Sequence, residues 1–515
     1  MPALLPNDKG AGPHWKSGGI FERPNCASTA ATPRAGLHLH VKKSPKTKGE
    51  FMETTATAQP AEITQKQADR NIRKVALTAL AGTSIEWYDF FLYGTAAALI
   101  FPTAFFPADM PPFVALIASF STFAIGFLAR PIGGIIFGHF GDSVGRKKVL
   151  VIALLIMGVA TTAIGLLPTY HTIGIAAPLA LVVLRFVQGL AIGGQWGGAT
   201  LLVTESAPAA KRGYYGAYAQ AGAPAGVILA NLAFLAVSNF IPEPAFTEWG
   251  WRIPFLASAI LIGISIYVQV HLEDTPAFKA LEKAKELERE AAAKSGAPVV
   301  KKKAPRSPIL EAIRLYPGRI MLAACAFLSI QVSFYILIAF VVAYGASKAG
   351  LGLDRNTVLS AVLIGSAIQI PIQFWAASMS DKLGRKGIFI VGAILSGLWG
   401  FALFPLLGTK DFLWITVGIT GGLAGMALQY GPQAAFFSEL FSTQVRYSGA
   451  SLGYQVGAIL GGALAPLIAT MLWETYGIQY VGYYIALAAA LTVFAVLALS
   501  ETKGTDLNAP TPTRK

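Results

Sequence analysis

The sequence predicts an all-α polytopic membrane protein with twelve transmembrane helices in two six-helix, pseudo-symmetric halves. Its mean hydropathy is +0.55, and only 13% of its 515 residues are charged, about half the share of a globular protein. Apolar runs such as "LALVVLRFVQGLAIGGQWGGATLLV" exceed the roughly 20 residues needed to cross a bilayer. One charged loop sequence occurs twice, which indicates the two halves.

The chain begins with a polar stretch, residues 1–70, that is low in apolar periodicity. This composition predicts a disordered tail, and the lack of an apolar h-region excludes a signal peptide. Met52 opens a stretch that reads like a natural start, so residues 1–51 are either translated or mis-assigned upstream sequence. The sequence alone leaves both readings open.

Two apolar halves follow, each long enough for six spans. The predicted boundaries are 71–271 for the first half and 319–503 for the second, with a short tail at 504–515. Between the halves, residues 272–318 carry Glu and Lys at helical spacing and then the basic run "KKKAPR". We interpret this segment as a solvated charged linker, with phosphate or lipid binding by Lys301–Lys303 as the less favoured alternative.

Basic residues cluster in alternate loops, which predicts the orientation in the membrane. Loops 102–112, 169–175 and 409–411 nearly lack them. We therefore expect both termini and every basic loop on the cytoplasmic side of a cell (inner) membrane. The basic residues concerned are Arg146, Lys147, Lys148, Lys211, Arg212, Lys382, Arg385, Lys386 and Arg446.

The charged loop motif follows the second predicted span as "GHFGDSVGRKK" (138–148) and the eighth as "SDKLGRKGI" (380–388). A second acid–base pair, seven residues apart, follows spans four and ten. The two motifs repeat at offsets of about 239 and 234 residues, so a six-span unit is duplicated. The acid–base pairs are Asp142 with Arg146, Asp381 with Arg385, Glu205 with Arg212, and Glu439 with Arg446.

These motifs resemble the major facilitator superfamily. "GHFGDSVGRKK" is similar to its loop signature, and "RFVQGLAIGGQWGGATLLVTE" (185–205) to its fourth-span motif. "EWYDFFLYG" (86–94), "ARPIGG" (129–134), "WGWRIPF" (249–255) and "VRYSGASLGYQ" (445–455) resemble the metabolite:proton symporter group. The resemblance covers about residues 70–503. It implies the major facilitator fold and uptake of solutes such as citrate, α-ketoglutarate, shikimate or proline/betaine.

The repeated loops predict a cytoplasmic gate between the halves. Glycines allow tight turning, and Asp142 can face a helix N-terminus or pair with an arginine. Such contacts hold the halves together in one state and break in the other; the alternative is that the charges only orient the chain. The predicted gate residues are Gly138, Asp142, Gly145, Arg146, Glu205, Arg212, Asp381, Gly384, Arg385, Glu439 and Arg446.

Charges inside the spans mark a candidate proton site, because they are expensive to bury in a bilayer. Glu86 and Asp89 lie about 16 and 21 Å into the first span, at depths that overlap Arg130 on the second. We expect one carboxylate to carry the coupling proton, Asp89 being the deeper. Arg130 would be its partner or bind an anionic substrate; the alternative is a static ion pair. The resemblance links Arg185 to proton transfer, and snorkelling is its alternative.

Further polar residues within the spans predict a cavity for a small solute. Each is nearly as well explained as packing between helices. Gln369 stands 239 residues after Arg130, so the halves differ electrostatically. With Arg130, the predicted substrate-binding residues are Gln188, Gln195, Trp196, Tyr218, Gln331, Tyr335, Gln369, Gln373, Tyr430, Gln433 and Gln455.

These features favour a transporter over an enzyme. No metal-ligand cluster, nucleophile motif or phosphate-binding loop occurs, so we expect no catalytic residues, metal or cofactor, and drive by the proton gradient. The basic residues sit in alternate loops, which disfavours nucleic acid. The prediction is a monomeric symporter that takes up protons with a small organic acid (dicarboxylate, keto acid or shikimate-like) by rocker-switch alternating access. Alternatives are uptake of a zwitterionic osmolyte and a non-transporting sensor, which the short C-terminal tail without heptads disfavours.

Overall fold

A computed structural model describes residues 61–144, 146–193, 196–271, 308–442 and 445–505. All regular structure in these ranges is helical. The greater part of the predicted tail, the linker up to residue 307 and residues 506–515 lie outside the described residues. Within them, the predicted all-α architecture is confirmed.

The first half contains six spans formed by α1, α3, α4, α6 with α7, α8 and α9. Short helices α2 and α5 connect spans at one end of the bundle. The bounds are α1 Ala61–Leu99, α2 Phe101–Ala104, α3 Pro112–Val144, α4 Arg146–Leu166, α5 Tyr170–Ile173, α6 Ala176–Gly193, α7 Trp196–Ser206, α8 Arg212–Phe240 and α9 Arg252–His271.

The second half repeats this order after a short amphipathic helix, α10. A π-helical segment, Ile336–Phe340, joins α11 to α12, and another, Ala458–Ala463, joins α16 to α17, so that each pair forms one span. The bounds are α10 Pro308–Leu315, α11 Pro317–Tyr335, α12 Val341–Ala346, α13 Arg355–Leu383, α14 Arg385–Gly408, α15 Phe412–Glu439, α16 Arg446–Gly457, α17 Ala465–Tyr476 and α18 Gln479–Ala498.

Nine helical stretches in the described part are long and apolar enough to cross a membrane, and Val151–Leu166 of α4 is a shorter apolar helix. α1 begins at Ala61 and so includes the last ten residues of the predicted tail. Its first turns, "AEITQKQADR", consist mainly of good helix formers, which extend the span outward. α10 likewise forms inside the predicted linker.

Close packing between α3 and α6 sets the position of the charged residues. A Cβ atom on Gly133 would lie 1.9 Å from the backbone oxygen of Leu190, and one on Gly193 would lie 2.0 Å from that of Arg130. Small residues let the two backbones approach closely, as is typical of membrane helices. This crossing fixes Arg130, which precedes Pro131 inside α3, close to α6.

Candidate functional site

Arg130 lies inside the first half, 1% exposed, between aromatic rings. Its guanidinium carbon is 4.4 Å from the ring centre of Phe90 on α1 and 4.4 Å from that of Phe127 on α3, with Trp87 at 5.7 Å. The Nε and Nη2 groups have no hydrogen-bond partner among the described residues. Aromatic faces stabilise a desolvated cation, so the side chain is held in place with donors to spare.

Arg185 of α6 is fully buried and contacts the same ring, Phe90. Its guanidinium carbon lies 4.1 Å from the centre of Tyr93 and 4.4 Å from that of Phe90. Gly126 makes room for it, since a Cβ there would lie 2.7 Å from Nε of Arg185. Nη1 donates to Oε1 of Gln188, while Nε and Nη2 have no described partner.

Phe90 therefore contacts both arginines, and Tyr335 of the second half closes the cluster. The Tyr335 ring packs on Phe90, Phe123 and Phe127 at centroid distances of 5.2–6.2 Å. Its hydroxyl has no hydrogen-bond partner in the described part of the chain. A buried cation without a full set of acceptors is costly, so this cluster can receive an anionic or polar group from a ligand.

A cavity of about 10 Å³ lies beside this cluster, lined by residues that include Phe91, Phe123 and Tyr335. It holds about one water molecule. The cluster is therefore enclosed in this conformation.

The two candidate proton carriers have different surroundings. Glu86 lies close enough to Arg130 and Tyr430 for their charges to interact. Asp89, fully buried, faces the hydroxyls of Thr161 on α4 and Ser258 on α9 instead. Neither of its oxygens receives a hydrogen bond within the described ranges. Of the two carboxylates, Glu86 is the one whose charge interacts with that of Arg130.

The other predicted cavity residues fall into four groups. Gln331, Tyr335, Tyr430 and Gln455 are buried in the second half, and Gln331 Nε2 and Gln455 Oε1 lack hydrogen-bond partners among the described residues. Gln188 and Gln369 bond within one half, Gln369 to Met426 Sδ at 3.3 Å. Gln195 and the side chain of Trp196 lie outside the described residues.

The remaining three predicted cavity residues lie between the halves. Gln433 accepts a hydrogen bond from Gln220 at 2.6 Å, and Gln373 donates to the backbone oxygen of Ala217 at 3.3 Å. Tyr218 is half-buried in an aromatic cluster with Tyr214 and Phe374. The surroundings of these residues would therefore change both when the halves separate and when a ligand binds.

At the end of the bundle that carries the second charged loop, here called the basic end, Asp381 connects the halves. Its two carboxylate oxygens accept from the backbone N–H groups of Gly213 and Tyr214, 2.8 and 2.9 Å away at the start of α8. A helix N-terminus stabilises such an anion. Arg385 also donates to Asp381 at 2.6 Å, and Gly384 turns between α13 and α14 with φ 108°.

Glu439 is the second acid at the basic end, and it is buried. Arg212 of the first half donates to it at 2.9 Å and Arg385 at 3.2 Å. Glu205 of the first half also pairs with Arg446 of the second at 3.2 Å. The acids and bases that the sequence places seven apart thus pair across the halves, not within their own loops. The side chains of Asp142 and Arg146, with Gly138 and Gly145, lie outside what the structure describes.

Residues 501–505 complete this end and were missed by the sequence analysis. Glu501 accepts from the backbone N–H groups of Arg385 and Lys386 at the start of α14. Partial burial acts to raise the Glu501 pKa, but these N–H groups and those of Lys503 and Thr502 hold it below its ordinary value. Thr502 donates to Glu439 at 2.7 Å.

A second tie between the halves lies at the opposite end and was also missed. Arg355, at the start of α13, donates to Glu243 at 2.6 Å, and its guanidinium lies 4.0 Å from the centre of the Phe246 ring. Ser238 donates to Asn356 at 2.8 Å. Because both ends are tied and the central cavity is small, the conformation is occluded.

No group of three His, Cys, Asp or Glu in the described residues could hold a metal ion. The prediction that the chain needs no cofactor stays a prediction.

Known proteins share both the sequence and the fold. A family model described as "Sugar (and other) transporter" matches residues 74–511. The inner membrane metabolite transport protein YhjE of Escherichia coli K12 is 42% identical over 459 residues, 88% of this chain and 100% of that one. The shikimate transporter of Escherichia coli K12 is 38% identical over 432 residues, 83% of this chain and 94% of that one.

A proline/betaine transporter of Escherichia coli K12 is 29% identical over 446 residues, 86% of each chain. Among solved structures, a partially occluded inward-open conformation of the xylose transporter XylE from E. coli matches with a TM-score of 0.64. It is 19% identical and covers 85% of this chain and 99% of its own. This last likeness concerns the fold alone.

Proposed function

Since the chain belongs to the sugar (and other) transporter family, we propose that it is a proton-coupled symporter for the uptake of a small organic acid. It works as a monomer in the inner membrane, with the basic end and both termini in the cytoplasm. The acid is a dicarboxylate, a keto acid or a shikimate-like acid. Rocker-switch alternating access exposes the site to one side at a time.

The observation that carries this proposal is the pair of buried arginines around Phe90. Arg130 and Arg185 each keep Nε and Nη2 free of described partners, and a guanidinium binds a carboxylate through paired N–H donors. The aromatic rings keep water away and raise the strength of such contacts. A ligand with a carboxylate satisfies these donors better than a neutral sugar does.

Uptake of the acid against its own concentration gradient must be coupled to a second ion. Asp89 supports the proposal that this ion is a proton. It is buried within the same half as both arginines, without a bonded cation in the described residues. A carboxyl group in that position takes up and releases a proton as its access to water changes. Its neutralisation by a proton removes the burial penalty and allows the occluded state to form.

The two sets of inter-half contacts support alternating access. Opening toward the cytoplasm breaks the Asp381, Glu439 and Glu205 contacts at the basic end. Opening toward the outside breaks the Glu243–Arg355 pair at the other end. Each set is lost in one open state and kept in the other, so the site opens to one side at a time.

Uptake of a zwitterionic osmolyte is the second candidate, and the aromatic cluster supports it. Phe90, Phe91, Phe123 and Phe127 offer ring faces of the kind that bind quaternary ammonium groups, and a proline/betaine transporter is among the relatives. A zwitterion would place its carboxylate on the arginines and its cation on these rings. A non-transporting sensor is the least supported alternative.

The test is uptake into proteoliposomes under an imposed inward proton gradient, with a panel of labelled organic acids, proline and glycine betaine. The proposal predicts accumulation of one organic acid, abolished by a protonophore. Accumulation of zwitterions alone would favour the osmolyte alternative, and uptake that ignores the proton gradient would refute proton coupling.

A further inference from the structure

Asp89 belongs to a cluster of hydroxyl and amide side chains that has a neutral copy in the second half. The first cluster comes from spans one, three, four and six: Asp89, Thr161, Gln188 and Ser258. The copy comes from the corresponding spans of the second half: Ser329, Ser396, Gln429 and Thr492. Each member stands 234–241 residues from its counterpart, so the duplication that repeats the loops also repeats this cluster.

In the first cluster, Arg185 determines the orientation of the Gln188 amide group. A guanidinium only donates, so Gln188 turns its carbonyl to Arg185 and its amide to Thr161 Oγ1, 2.7 Å away. In the copy, Met426 precedes Gln429 by three residues, as Arg185 precedes Gln188. Oε1 of Gln429 accordingly has no donor among the described residues. The two clusters thus differ mainly in charge.

The two hydroxyl groups beside Asp89 already donate their protons in hydrogen bonds to backbone oxygens. Thr161 donates to the backbone oxygen of Met157 at 2.9 Å, and Ser258 donates to that of Pro254 at 3.3 Å. A hydroxyl has one proton and two lone pairs, so only acceptor positions remain toward the carboxyl group. An ionised Asp89 would find no donor there, whereas a protonated Asp89 can donate to either oxygen.

We propose that Asp89 carries its proton in this occluded conformation, and that Thr161 and Ser258 are positioning residues that accept the O–H. The inference deepens the proposed proton coupling and rests on it. When the site opens, the O–H bond breaks and the proton passes to water, which then solvates the carboxylate.

Charged and titratable groups near Asp89 come from several elements. Tyr88 of α1 is close enough to Asp89 for their charges to interact. Glu86 of α1 interacts with Arg130 of α3, and Tyr335 of α11 interacts with Arg130 and with Arg185 of α6. Arg252 of α9 donates to the backbone oxygens of Gly165 and Leu167. The cations of α4 lie at its start, about 20 Å along the helix from Thr161. α8 packs Gly222 and Gly226 against α1 near this level.

Infrared pH titration of the full chain in lipid tests the proposal without a substrate. The signal is the C=O stretch of a protonated carboxyl group, assigned to Asp89 as the part lost in Asp89→Asn. Thr161→Val and Ser258→Ala each remove an acceptor, so the midpoint moves to lower pH. A shift of about 0.5–1 pH unit corresponds to one hydrogen bond. Thr161→Ser keeps the acceptor and keeps the wild-type midpoint.

The neutral copy supplies matched controls. Ser396→Ala removes one of the two hydroxyls to which the Gln429 amide donates, as Thr161→Val removes the hydroxyl that accepts from Gln188. We expect Ser396→Ala to leave the Asp89 midpoint unchanged. The inference is overturned if no Asp89-dependent band appears, or if Thr161→Val and Ser258→Ala shift the midpoint upward or leave it unchanged. A failure of the proposed function would appear separately, as a wild-type protein that moves no organic acid.

Discussion

At the scale of single residues, the account depends on four charges in the first half that become neutral in the second. Arg130 corresponds to Gln369, Arg185 to Met426 and Asp89 to Ser329, at offsets of 239–241 residues. Glu86 is the fourth charge. The duplication therefore gives a natural comparison for each mutation, because the counterpart lies in a similar environment without the charge.

The first prediction concerns Asp89. Asp89→Asn removes the titratable group while keeping its shape, so proton-driven accumulation is lost and substrate exchange across the membrane remains. The measurement compares uphill uptake with counterflow in the same proteoliposomes. Ser329→Ala, in the neutral copy, serves as the control and keeps both activities. Unchanged uphill uptake by Asp89→Asn would remove Asp89 from the mechanism.

The second prediction concerns Arg130. Arg130→Gln substitutes the residue found in the repeat, which keeps a polar donor but loses the charge. A hydrogen bond to a charged group contributes about 1.5–3 kcal/mol, so KM for the transported acid rises roughly 10- to 100-fold. Gln369→Ala, the matched change in the second half, raises KM much less. Equal effects from the two variants would mean that Arg130 has a packing role only.

At the scale of elements, the helix ends hold the occluded state together. Asp381 faces the N-terminus of α8, and Glu501 faces that of α14. Glu439 accepts hydrogen bonds from Arg212, Arg385 and Thr502. Each is an acid placed where backbone N–H groups or guanidinium groups converge. Such networks are strongly destabilised when one partner is removed, so the two ends of the bundle can be weakened separately.

The third prediction uses that separation. Glu439→Gln weakens the basic end, so Gln433→Cys, placed in a chain without Cys26 and Cys325, reacts about tenfold faster with a thiol reagent from the basic side. Glu243→Gln weakens the opposite end and is the matched control, since it gives no acceleration from that side. If both variants behave alike, the contacts at the basic end do not form the gate.

The fourth prediction concerns pH. The Glu501 pKa is held below its ordinary value, so its ionised form stabilises the fold above the ordinary range for Glu and loses that contribution as pH falls through the lowered value. Because Glu501 is exposed, Glu501→Gln lowers Tm by only about 1–2 °C at neutral pH. Melting curves against pH should show this difference shrink as pH falls below the ordinary range for Glu and disappear below the lowered pKa. A difference that grows in acid would contradict the assignment.

At the scale of the whole molecule, much of the architecture could be predicted from the sequence. Hydropathy and the repeated loops indicated the helical fold and the superfamily, which the comparisons confirm, together with a transporter rather than an enzyme. The cost of intramembrane charge singled out Arg130 and Arg185. Asp89, however, turns toward Thr161 and Ser258, because packing against α4 and α9 sets the rotation of α1, and one sequence does not reveal that rotation.

Other features also depended on contacts between distant segments. Nothing in the sequence distinguishes Phe90 from other apolar residues of its span, although in the structure its ring contacts both Arg130 and Arg185. Glu243 and Arg355 lie in connections without a repeated motif, so nothing in the sequence paired them. The loop residues were expected to form contacts between the halves, but the sequence did not show which acid meets which base; Glu439 pairs with Arg212 and Glu205 with Arg446. These contacts come from the docking of the halves.

The most direct test of the central claim is accumulation of a labelled organic acid in proteoliposomes after an inward pH jump, compared between wild type and Asp89→Asn. The account predicts that one acid of the panel accumulates in the wild type, that a protonophore abolishes this, and that the variant only exchanges it. Accumulation of proline or glycine betaine alone, or of an acid without dependence on the proton gradient, would contradict it.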